Sequence, residues 1–129
     1  MQDIYTQCQM PLIEKSEDQL DLKMTWSQVK ELHDEVLFYV GGHTHNHAIL
    51  SHLDNDNLNY EIETSLNLLK EKAEILTHHY SYPEGQKEHY SDEAIYVLIQ
   101  NGIKCCPTAE YSLNKAGDSL FHLKRTMVI

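Results

Sequence analysis

Disulfide chemistry, basic charge and long apolar runs are all scarce in this chain. Its three cysteines, Cys8, Cys105 and Cys106, are too few for a disulfide framework. Neighbours on a strand point to opposite faces, so Cys105 and Cys106 neither bond to each other nor share an ion. With no Cys-x-x-Cys spacing, a zinc ribbon has no support, and the cysteines read as small buried hydrophobes plus one free thiol. Ten Lys and Arg stand against 20 Asp and Glu, a net charge of −10 with no local basic cluster. Such a field repels nucleic acid and anionic lipid and favours a neutral or cationic partner. No run reaches transmembrane length, and the acidic, polar N-terminus is no signal peptide. Nothing therefore assigns a compartment. Repeats and low-complexity segments are also missing. At 129 residues the chain suits one domain but falls short of the about 250 typical of a complete α/β barrel.

Histidine is what the chain has in quantity, nine in all. Three of them fall in Gly41-Gly42-His43-Thr44-His45-Asn46-His47, just after the apolar run Leu37-Phe38-Tyr39-Val40. Neutral imidazole is the commonest zinc-binding side chain, and a histidine pair four apart where a strand opens into a loop is a candidate metal site. Spacing alone carries little weight, since about one such pair is expected by chance in a chain this rich in histidine.

Residues 1–24 are polar and without clear period, and read as a loop or flexible arm. Thr25-Trp26-Ser27-Gln28 has the capping-box form, opening a helix over about 26–36. Leu37–Val40 reads as a buried strand ended by the glycine pair. Leu58, Ile62, Leu66, Leu69, Ala73 and Leu76 form one stripe, predicting a helix from about Asn57 to Leu76 with Asp54 and Asp56 before its start. His78–Tyr82 reads as a strand broken by Pro83-Glu84-Gly85, with one of His78 and His79 in the core and the other exposed. Ser91 caps a further helix that Asn101-Gly102 stops, and Ile103–Cys106 is a short strand stopped by Pro107. An apolar run from Thr126 to Ile129 ends the chain. Helices and apolar strands in alternation indicate an α/β class with a parallel sheet.

Three blocks together resemble the polysaccharide deacetylases of carbohydrate esterase family 4, which share the NodB homology domain. Thr25-Trp26-Ser27-Gln28-Val29-Lys30-Glu31-Leu32-His33, leading into Gly42-His43-Thr44-His45-Asn46-His47, is similar to the family's run ending in His-Thr-x-x-His. Tyr80-Ser81-Tyr82-Pro83-Glu84-Gly85 resembles its aromatic-Pro-x-Gly loop. Asn101-Gly102-Ile103-Lys104, followed by Phe121-His122-Leu123-Lys124-Arg125, resembles its ending. The match runs over about residues 18–129.

The resemblance implies a partial (β/α) barrel of the deacetylase type, truncated at its N-terminus and lacking the first strand or strands, with residues 25–129 as the C-terminal portion of the NodB homology domain. It implies metal-dependent hydrolysis of N-acetyl groups on a carbohydrate, a carbon–nitrogen bond that is not a peptide bond. His43 and His47 carry over as ligands of a divalent ion, zinc by preference, and Thr44 as a hydroxyl supporting their loop. Tyr82 and Pro83 would floor the sugar site, and His122, in Leu120-Phe121-His122, matches the Leu-x-His acid. The family's third ligand and base come from a Thr-Phe-Asp-Asp segment, and the chain has no Asp-Asp pair. Activity of this chain is therefore expected to be impaired. Two alternatives are a non-catalytic fragment or barrel half that assembles with another chain, pairing as a homo-oligomer through an open sheet edge, and a histidine-rich metal-binding module. Many members of the family act in the cell envelope.

Overall fold

Side chains cap the starts of the helices that open at Trp26, Asn55 and Asp92 in the computed structural model, which describes residues 7–8 and 18–126. Helix α1 spans Trp26–Asp34, and its capping box forms as the sequence predicts. The Gln28 amide donates to Thr25 Oγ1 at 3.3 Å, and Gln28 Oε1 accepts from the Thr25 amide at 2.8 Å. Helix α2, Asn55–Ala73, begins on Asp54, whose carboxylate accepts from the Asn57 amide at 2.9 Å. It closes with Glu74 in the left-handed region and the Ile75 amide reaching back to the Leu69 carbonyl at 3.1 Å. Helix α3, Asp92–Gln100, starts on Ser91 Oγ and stops at Gly102, whose φ of +80° glycine adopts without strain.

Helix α2 packs against both α1 and α3. Leu58 and Ile62 of α2 join Ala94 and Leu98 of α3 over Tyr80, Tyr82, Ile103 and Cys106 in the main core. A second cluster of Leu69, Ala73 and Ile75 takes Val29 and Val40 against it. Beneath the helices the extended segments pair in parallel, Gly42 with Tyr80, His79 with Cys105 and Tyr111 with Arg125. The α/β pattern is thus present, but the expected strands are not. Among the described residues each pairing is an isolated bridge. Pro83 and Pro107 lack the amide that would lengthen the second and third segments.

Other expectations change with the packing. Leu37–Val40 is not a buried strand: Val36 is 97% and Leu37 90% exposed, and Phe38 and Tyr39 are more than half exposed, although the Tyr39 ring touches His33 and His79 and Val40 packs on the second cluster. Helix α1 ends at Asp34 and α2 at Ala73, which leaves Leu76 outside the helix and 70% exposed. Asp56 lies inside the first turn of α2 rather than before it. His78 and His79 are both exposed. Cys106 is buried and Cys105 half-buried, the opposed faces expected of adjacent cysteines. Most of the expected arm 1–24, and the final run beyond Thr126, lie outside the described residues. Among the described residues no helix is long and apolar enough to cross a membrane.

Burial raises Tyr80 from 10.0 to about 12 and the Cys106 thiol from 9.0 to about 12. The unfolded chain releases these protons first, so their contribution to stability is complete below pH 9 and is lost as pH rises toward 12. Urea midpoints measured from pH 8 to 11 should fall steadily. A flat profile would contradict the burial of both groups.

Candidate metal centre

The histidine loop is placed by a contact that only glycine permits. A Cβ on Gly42 would lie 2.4 Å from two ring carbons of Tyr80, and one on Gly41 would lie 2.9 Å from the His79 carbonyl oxygen. With no side chain in the way, the Gly42 amide donates to the His79 carbonyl at 3.0 Å, and the Ser81 amide donates to the Gly42 carbonyl at 2.9 Å. This register sets Ser81 beside His43. His43 Nδ1 lies 2.8 Å from the Ser81 carbonyl oxygen and 2.8 Å from Ser81 Oγ. A carbonyl only accepts, so Nδ1 carries the proton and Nε2 keeps its lone pair for an ion. Metal-binding histidines are usually oriented by such a bond.

The loop itself is strained. Thr44 has φ +61° and His47 φ +58°, each costing about 1–3 kcal/mol and persisting only where surrounding contacts over-determine it. Two sets of contacts from α2 do so. The Thr44 amide donates to Tyr80 Oη at 2.6 Å, Tyr80 Oη lies 3.1 Å from Ser65 Oγ, and Ser65 Oγ donates to the Ile62 carbonyl at 2.8 Å. One turn earlier the buried Glu61 accepts the His45 amide at 2.9 Å and the Asn46 amide at 2.8 Å on Oε2, and Asn46 Nδ2 at 2.7 Å on Oε1. Burial works to raise the Glu61 pKa, but these Asn46 and His45 bonds outweigh it and hold the carboxylate below its ordinary value.

The product of this scaffolding is a pair of adjacent imidazoles. The His43 and His47 rings stand 4.8 Å apart between centroids, inclined at 69°. Two imidazoles bound to one tetrahedral zinc, with nitrogens about 2.0–2.1 Å from it, have centroids about 5 Å apart. The donor set therefore fits two ligands of a zinc-like ion. Both rings are exposed, and His43 and Thr44 border a recess of about 370 Å³ walled by Trp26, Ser65 and Leu68. His45 also lines this recess and meets Tyr60 edge-on, 5.9 Å between centroids. Among the described residues no group of three His, Cys, Asp or Glu side chains could hold an ion, so the pair has no third protein ligand there.

The remaining predicted site residues lie elsewhere. Tyr82 is 1% exposed, stacked on Tyr90 at 4.3 Å and donating to the Phe121 carbonyl at 3.1 Å, and Pro83 is equally buried. Neither presents a surface to a sugar. His122 lines a separate recess of about 430 Å³ with Tyr90 and Glu110, which shares no residue with the one beside His43. Thr44 Oγ1 is buried without a hydrogen-bond partner among the described residues, so Thr44 anchors the loop through its amide instead of its hydroxyl. Sequence reasoning missed Ser81, Tyr80, Ser65 and Glu61. Only Glu61 left a readable sign, as an acid three residues after Leu58 and one before Ile62 on the apolar face of α2.

The polysaccharide deacetylase family model matches residues 12–106, well over half of the chain. The chain belongs to the polysaccharide deacetylase family. Its fold is similar to three solved structures, two of them deacetylases. The Streptococcus pyogenes deacetylase PplD in complex with acetate has 24% identity and a TM-score of 0.73, covering 84% of this chain and 46% of that one. The BpsB deacetylase domain of Bordetella bronchiseptica has 17% identity and a TM-score of 0.72, covering 92% and 54%. IcaB from Ammonifex degensii has 19% identity and a TM-score of 0.68, covering 98% and 60%. This deacetylase-family chain thus spans about half the length of the solved structures it matches, and at these identities the likeness is one of fold. No curated protein matches it in sequence.

Tyr80→Phe keeps the ring but strands the Thr44 amide and Ser65 Oγ. It should cost about 1–3 kcal/mol in urea unfolding. An unchanged midpoint would show that the Tyr80 hydroxyl does not hold the loop.

Proposed function

We propose that residues 25–129 form the C-terminal portion of a deacetylase (β/α) barrel and carry the histidine half of its metal site. The observation that carries this reading is the His43–His47 pair at 4.8 Å with Nδ1 of His43 engaged by Ser81. His43 and His47 would hold a divalent ion of the zinc class, and Ser81 would keep His43 Nε2 bare and aimed. Bound there, such an ion supplies Lewis-acid polarisation of an N-acetyl carbonyl and an acidified water. The substrate class is a carbohydrate bearing N-acetyl groups, which suits a chain of net charge −10 better than a polyanion does. Catalytic zinc sites normally use three protein ligands. Hydrolysis therefore needs a carboxylate beyond this pair. Tyr82 and Pro83 would support the sugar-facing loop from beneath. His122, in its own recess, would act as the acid only if the completed barrel brought it to the leaving nitrogen.

Zinc titration by calorimetry tests the reading. The chain should take up one ion, and His43→Ala and His47→Ala should each weaken uptake by at least about tenfold. Uptake unaltered by both substitutions, or none in the parent chain, contradicts it.

One observation favours a second reading, a barrel half that completes itself by pairing. Val36, Leu37, Phe38 and Tyr39 form an exposed apolar edge beside the histidine loop. Uncovered edges of this kind invite strand addition. Sedimentation should then show self-association that Leu37→Lys abolishes; a monomer at all concentrations would count against pairing between copies.

A further inference from the structure

The two ligand positions are separated by three residues, and one buried carboxylate holds the middle of that span. Glu61 is 5% exposed. No Lys, Arg or His pairs with it in the ion pairs among the described residues. Its charge is met instead by three N–H donors, the His45 and Asn46 amides and the Asn46 side chain, at 2.7–2.9 Å. A buried carboxylate is a costly way to tie down a loop unless its particular geometry is needed. The geometry here is specific. Consecutive amides aimed at one oxygen form an anion-holding concavity, and the second oxygen takes Asn46 Nδ2. Residues 45 and 46 are thereby pinned between Thr44 and His47, the two left-handed residues, and the turn that brings the rings of 43 and 47 together is closed at its centre. Ser65, one helical turn along α2, holds Thr44 through Tyr80, so the same helix face grips the loop twice.

We propose that Glu61 is a positioning residue for the metal site, a carboxylate latch that holds His43 and His47 convergent before an ion arrives. The latch rests on the reading of His43 and His47 as ligands. It also places a negative charge beneath a loop that is to receive a cation. Glutamine at this position retains the size of the side chain but loses the charge, and its amide nitrogen cannot accept from Asn46 Nδ2, so the present three-donor arrangement is lost.

The full chain and its Glu61→Gln and Asn46→Ala variants would be titrated with zinc. Amide hydrogen exchange at His45 and Asn46 would be followed in the same proteins without metal. Glu61→Gln should weaken zinc binding about ten- to a hundred-fold, the usual effect of losing a supporting partner, and accelerate exchange at both amides. Asn46→Ala removes only the exposed side-chain donor and should produce a smaller loss in the same direction. It keeps the test open if Glu61→Gln does not fold. Unchanged zinc affinity and unchanged exchange in the folded variants would overturn the latch. If the parent chain bound no zinc, the ligand reading would fall, and exchange alone would decide whether Glu61 orders the loop.

Discussion

The approach of Gly42 to the face of Tyr80 is the contact on which the rest of the site depends. A Cβ at Gly42 would sit 2.4 Å from that ring, so the segment can lie there only as glycine. Once it does, its amide and carbonyl pair in parallel with His79 and Ser81, and His43 emerges opposite Ser81. The Tyr80 hydroxyl, at the far end of the same ring, receives the Thr44 amide. One aromatic side chain thus serves as packing surface for the entry to the loop and as hydrogen-bond anchor for its first turn.

Helix α2 completes the arrangement from the other side. Its apolar residues build the core, and two polar residues brace the loop, Glu61 directly and Ser65 through Tyr80. The strain at Thr44 and His47 is sustained because these contacts leave the backbone no relaxed alternative. The fold therefore braces the loop that carries the two proposed ligands, and the exposed apolar residues Val36 to Tyr39 lie directly before it in the chain. The loop and these exposed apolar residues are thus adjacent in the chain.

Local features were legible in the sequence because their physics is local. Thr25, Asp54 and Ser91 cap helices by bonds to residues three positions away, and the α2 stripe follows helical period. The family, too, could be read from the blocks around His43, Pro83 and Arg125. The long-range supports could not. Ser81 meets His43 across 38 positions, and Tyr80 meets Thr44 across 36, so neither pattern exists until the parallel register forms. Leu37–Val40 misled for a related reason. An apolar run states that burial is favourable, but burial also needs a neighbour, and among the described residues only the end of this run, Val40, finds a core cluster to pack on. Tyr82 and Pro83 were legible as a motif but not as core, since their surroundings come from α3 and the segment near Phe121.

The central claim is that His43 is prepared for an ion by the fold itself, with Nδ1 protonated against Ser81 and Nε2 bare. Long-range nitrogen–proton NMR of the metal-free chain near neutral pH reads this tautomer directly. The Nδ1–H form is expected at His43, shifting to the mobile mixture of an unconstrained histidine when Gly42→Ala disrupts the register. A predominant Nε2–H form at His43 in the parent chain would contradict it.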